Sequence, residues 1–198
     1  MCGGCRSGGC GGRDGARTTP LTPRFDIRLA RTPDDIAASI ALAWQFFDLV
    51  RTFPDHSAEV DAYLRDHKVR EKFDDFPEHF LPPTGDCLLA RGPDGSPLGV
   101  VMLTAKSPEH CEMNRMFVTE AARGSGRGRA LGVALMDRAR EMGFQEMTLD
   151  TLVVLQAAVA LYRALGFEDD ARPGRYDADN PKVLNMRRSL VAAPAPPP

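Results

Sequence analysis

Residues 123–128, RGSGRG, set three glycines among arginines between a β-forming run and a helical pattern. Glycine tolerates left-handed backbone, so amides there can turn to point one way, and a helix start adds the positive end of its dipole. Such a segment can hold a phosphate anion. The dipole contributes only about 0.3–1 kcal/mol at an exposed site, so several charge-assisted hydrogen bonds are needed as well. Arg123, Arg127 and Arg129 can supply them. A Walker loop is excluded, because Arg129 and Ala130 follow Gly128 where a lysine and a hydroxyl residue are required. The spacing GxGxG also departs from the dinucleotide fingerprint GxGxxG, although Asp150 stands about 20 residues further on.

The elements that must carry this loop can be read from periodicity. Residues 25–29 alternate as a short strand, and Thr32, Pro33 and Asp35 form a helix start: cap, first-turn proline and acid. Ile36, Ile40, Ala43, Trp44, Phe47 and Val50 then recur at three and four residues as an apolar stripe. A second helix is expected over residues 57–73, and the stretch FDDFPEHFLPPTGD reads as a surface loop. Residues 87–90 and 98–104 flank ARGPDGSP and form a hairpin, and residues 111–118 a further strand. A long helix over residues 126–142, a strand over 147–151, a helix over 157–165 stopped by Gly166 and a closing strand over 183–188 complete the order. This pattern describes an α/β sheet covered by helices.

Of 198 residues, 43% are hydrophobic and 26% charged, as suits one globular domain. A net charge of −2 gives no general attraction to nucleic acid or to an anionic membrane, and no apolar run reaches the roughly 18–20 residues of a membrane span. Residues 1–24 hold seven glycines and three cysteines but little that a core could bury, so a disordered Gly/Cys-rich tail is expected, followed by one domain over 25–191 and a Pro-rich tail over 192–198. Cys2, Cys5 and Cys10 lack a nearby fourth ligand, so no metal is expected. Cys87 and Cys111 have no base beside them and read as small apolar strand residues. No secretory signal is apparent, which points to the cytoplasm.

Two segments at fixed separation carry a family resemblance. EMNRMFV, TEAA and RGSGRGRAL place a strand before (Q/R)xxGx(G/A), with Arg123, Gly126 and Gly128 at the defined positions; AAVALYRALGF then ends in LYxxxGF. The chain thus resembles the GNAT superfamily of acyl-CoA-dependent N-acetyltransferases over about 80 residues. The resemblance implies a single α/β (α+β) domain with a central mixed, mostly antiparallel sheet, helices on both faces and a splayed parallel strand pair. It implies transfer of an acetyl group from acetyl-CoA to a primary amine of a small molecule or peptide, by direct attack in a ternary complex. A non-catalytic acyl-CoA-binding regulatory module is the alternative, and a homodimer remains open.

By the same resemblance, the backbone of Met116, Phe117 and Val118 pairs with the pantetheine arm. The amides of Arg123, Gly124, Ser125, Gly126, Arg127 and Gly128 hold the pyrophosphate, with Arg129 assisting. Leu155 replaces an asparagine common in relatives, seven residues before the tyrosine. An ammonium with an ordinary pKa near 10.4 must lose a proton before it attacks, which requires a base; Glu112 is the candidate, with His110 and Asp150 behind it. The departing thiolate requires an acid, and Tyr162 of LYxxxGF is the candidate.

Overall fold

A computed structural model describes residues 26–172 and 180–191; the two tails expected from composition lie outside these. Strand β1 (Asp26–Leu29) leads into helix α1 (Pro33–Arg51), where the Thr32 hydroxyl accepts from the Asp35 amide at 3.1 Å as the sequence predicts. The buried line of α1 runs Asp35, Ser39, Leu42, Ala43, Phe47 and Val50, leaving Ile36, Ile40 and Trp44 half-buried at its flank. Apolar periodicity misses this rotation because two members are polar. Asp35 is satisfied by Arg28 at 2.7 Å and Arg91 at 2.9 Å, and Ser39 donates to the Asp35 carbonyl.

The helix expected over 57–73 is two, α2 (Ser57–Asp66) and α3 (Val69–Asp74), because Lys68 between them takes a left-handed φ of 49°. Where a loop was expected, Phe76–Phe80 forms the short helix α4. Pro77 occupies its first turn, where a missing N–H costs nothing, and Phe76 and Phe80 lie one turn apart in the core.

The hairpin is β2 (Gly85–Arg91) and β3 (Pro97–Ala105), followed by β4 (His110–Val118), α5 (Arg127–Glu141), β5 (Glu146–Leu152), α6 (Gln156–Ala164), the two-residue β6 (Glu168–Asp169) and β7 (Val183–Ser189). Their sheet order is β1-β2-β3-β4-β5-β7-β6, with β4 and β5 parallel and the other pairs antiparallel. Pairing of β4 to β5 covers only His110 to Glu112 and stops there, so the two strands splay beyond it.

Alternation sends successive residues into two cores. Leu88, Ala90, Val101, Leu103, Cys111 and Met113 meet α5 and α6 on one face; Cys87, Leu89, Val100 and Met102 meet α1 to α4 on the other. In β4 the parity changes. Val100 pairs with Phe117 and Met102 with Asn114, so Arg115 and Met116 together oppose one residue of β3. After this bulge Met116 and Val118 join the α5 face and Phe117 the α1 face.

Asp86, fully buried, joins the layers. It accepts from Arg31 at 2.7 and 2.9 Å, from Arg138 of α5 at 2.7 Å and from the Cys87 amide at 2.9 Å. Burial alone would raise its carboxyl, but these donors outweigh burial and hold it below the usual carboxylate range. No helix among the described residues is long and apolar enough to cross a membrane.

Candidate active site

The glycine loop leaves β4 through a short 3-10 turn at Glu120–Ala122 and enters α5. Gly124 and Gly126 take φ of 72° and 80°, which a side chain resists and glycine does not. Gly126 stands at the N-cap with no side-chain acceptor, so the amides of Arg127, Gly128 and Arg129 begin the helix without side-chain caps. Ser125 donates to the Ala122 carbonyl, and Arg127 donates to the Ser125 hydroxyl, which braces the bend from within. Arg123 donates to the Val118 carbonyl at 3.2 Å and lies over the Phe117 ring. Arg129 donates to the Ala164 carbonyl at 3.1 Å, tying α5 to the end of α6.

Two cavities flank the splayed strands. One, of about 570 Å³, is bounded by Met116, Phe117 and Val118, by most of the loop, and by the start of α6. The other, of about 330 Å³, lies between α1, α2 and the sheet and includes Glu112, Asn114, Arg115, Asp150 and Thr151. Phe46, Met116, Leu155, Ala158 and Tyr162 line both, so the cavities meet at the phenol. Tyr162 is 7% exposed, its ring edge-on to Phe167, and burial pushes its hydroxyl up to about 12.

Glu112 ends the paired part of β4, 5% exposed, with the Lys106 ammonium at 2.6 Å. That ion pair compensates a charge otherwise costly to bury. Asp150 reaches the same cavity, whereas His110 does not line it and its ring lies 3.0 Å from the Thr148 hydroxyl. Cys87 and Cys111 are buried, and burial pushes both thiols up to about 12, which suits packing and not nucleophilic attack. Among the described residues no group of His, Cys, Asp and Glu could hold a metal.

The family resemblance implies that the segment from about Phe46 to Pro83 shapes the acceptor side, and Phe46, His56 and Tyr63 of it line the smaller cavity, but sequence reading missed Arg115. For Arg115 a signal exists. Strict alternation from Cys111 and Met113 assigns it to a core face, and the doublet Met116-Phe117 cannot obey alternation either, which together mark a bulge.

Replacing Gly126 by valine forces a β-branched residue into the left-handed region, at a cost of roughly 1–2 kcal/mol. Coenzyme A affinity measured by calorimetry is therefore expected to fall about 5- to 30-fold. Unaltered affinity would show that the ligand does not need this bend.

An acyl group carried along the larger cavity would arrive beside Tyr162, with the smaller cavity open to an attacking group from the other side. That is the layout of an acyltransferase. The chain belongs to the acetyltransferase (GNAT) family, whose family model matches residues 46–167. It is 36% identical over 165 residues to an uncharacterized N-acetyltransferase of Schizosaccharomyces pombe, covering 83% of this chain and 92% of that one. In fold it is similar to an acetyltransferase of the GNAT family from Staphylococcus aureus, with a TM-score of 0.67 at 16% identity, covering 84% of this chain and 99% of the other. A putative acetyltransferase from Salmonella typhimurium, solved with acetyl-CoA, has a TM-score of 0.56 at 21% identity, covering 87% of this chain and 98% of its own.

Proposed function

We propose that this chain transfers an acetyl group from acetyl-CoA to a primary amine of a small molecule or peptide, by direct attack with both substrates bound. The observation that carries this reading is that a cavity under the glycine loop and a second, smaller cavity meet at one buried phenol. Acetyl-CoA supplies an activated thioester, and the protein's residues do the rest. The uncapped amides from Gly126 onward suit a pyrophosphate, with the guanidinium of Arg123 at the rim. Beyond the last β4–β5 pair, the backbone of Met116, Phe117 and Val118 has no strand pairing with β5, which suits it to pair with an amide-bearing arm as a strand would, the Val118 carbonyl first giving up the Arg123 guanidinium.

Glu112 serves the amine. Its carboxylate draws the ammonium into the smaller cavity and takes the proton directly or through water. Tyr162 serves the leaving sulfur. Its hydroxyl stays protonated across the working pH range because burial raises it to about 12, so it is available as a donor. The two buried free cysteines fit a reducing compartment such as the cytoplasm.

Purified protein incubated with acetyl-CoA and a broad amine panel is expected to release free thiol and form an acetylated amine. Tight coenzyme binding with no transfer to any acceptor would replace this reading with that of a non-catalytic acyl-CoA-binding module.

A further inference from the structure

We propose that Arg115 makes the acceptor cavity selective for amines that also carry a carboxylate, as an α-amino acid does; this deepens the acetyl-transfer reading and rests on it. Arg115 sits in the β4 bulge at a φ of 54°, unusual for a residue with a long side chain. The bulge turns it out of the alternation that would bury it against α5 and into the cavity that holds Glu112. Its guanidinium lies over the rings of Phe47 at 5.0 Å and Tyr63 at 5.3 Å. The two ring centroids are themselves 6.1 Å apart, so both rings lie to one side of the guanidinium, and its N–H edge finds no acceptor in them.

Among the described residues that edge has no hydrogen-bond partner. Among the described residues no carboxylate lies within ion-pair distance of Arg115, and its Nε is buried without a hydrogen bond. A buried donor left unmatched is destabilising unless a ligand completes it. Of the four acids that line the cavity none pairs with Arg115: Glu112 pairs with Lys106, Glu59 with Lys182 and Asp66 with Arg65, and Asp150 lies on β5. The remaining cationic edge suits a planar oxyanion bound through two parallel hydrogen bonds, which is the geometry of a carboxylate. At about 330 Å³ the cavity is at the small end for ligand sites, as a compact zwitterion requires. Within this one cavity Glu112 takes the amine's proton, Tyr162 serves the leaving sulfur and Arg115 takes the carboxylate.

Acetyl transfer to the common α-amino acids, and for the best of them to its amide and its decarboxylated amine, tests this. The wild-type protein is expected to favour the carboxylate form in kcat/KM by about 100-fold or more. In R115Q that ratio collapses towards unity, mainly through a raised KM for the acid. R115K, which keeps a point charge but loses the fork, retains about a tenth of the preference. Calorimetry of the same amino acids against protein saturated with coenzyme A gives a second arm that needs no turnover. Equal use of all three forms, a surviving preference in R115Q, or better use of a phosphate-bearing amine would overturn the proposal. Arg115-dependent amino-acid binding without transfer would uphold the subsite and sink the acetyl-transfer reading. Equal coenzyme affinity in both variants establishes that they are folded.

Discussion

Tyr162→Phe is expected to lower kcat by roughly 10- to 1000-fold while leaving coenzyme affinity little changed. The substitution removes one oxygen and keeps the ring in place against Phe167, so packing survives. A phenol raised to about 12 would be a poor acid towards a thiolate in water, whose parent thiol has a pKa near 8.5. The pocket changes both partners. A thiolate leaving beside the buried phenol is itself shielded from water, which raises the pKa of its parent thiol in the same direction. Proton transfer between them is then less unfavourable than the solvent values suggest. Because the hydroxyl is protonated well past pH 10, the wild-type pH profile should show no alkaline limb from Tyr162, and any acidic limb reports the group that receives the amine proton. An unchanged kcat in the phenylalanine variant would remove Tyr162 from the mechanism.

Asp86→Ala is expected to destabilise the fold by about 3 kcal/mol, the lower end for removing one partner of a buried ionic cluster. The lower end applies because Arg31 and Arg138 keep 39% and 25% of their side chains exposed, and water can take up their charges. With a urea dependence of about 2 kcal/mol per molar, the unfolding midpoint should drop by about 1.5 M. The sign with pH follows from the lowered carboxyl. Asp86 contributes fully above its unfolded pKa near 3.9, and that contribution is lost as pH falls through the lower folded value. The wild-type protein should therefore weaken in acid more steeply than the alanine variant. Parallel acid curves would show that the cluster adds nothing beyond packing.

Where the local rule and the tertiary structure agree, the sequence was readable. Thr32 with Pro33 and Asp35 marks a helix start because capping is settled within four residues. The glycine loop is legible for the same reason, since its positive φ angles demand glycine locally. Lys68 carries no such mark: its left-handed backbone is imposed by how α2 and α3 pack, and a helical pattern runs across it unbroken. Asp35 and Ser39 mislead any reading that equates burial with apolarity, because their partners, apart from the local carbonyl, lie in β1 and β2. Family resemblance points to Tyr162 as acid and Glu112 as base. Their separation of 50 residues in sequence says nothing about sharing a cavity, which depends on where β4 and β5 part.

The sheet divides labour as well as space. Phe47 and Tyr63 line only the smaller cavity, and Gly126, Gly128 and Arg129 at the head of α5 only the larger, while Phe46, Met116, Leu155, Ala158 and Tyr162 line both. Substitutions at residues confined to one cavity share few neighbours, so their free-energy effects should combine additively, which those at the five shared residues should not. A lineage can thus retune what it acetylates by altering the residues around Phe47 and Tyr63, one at a time, without renegotiating its grip on the donor.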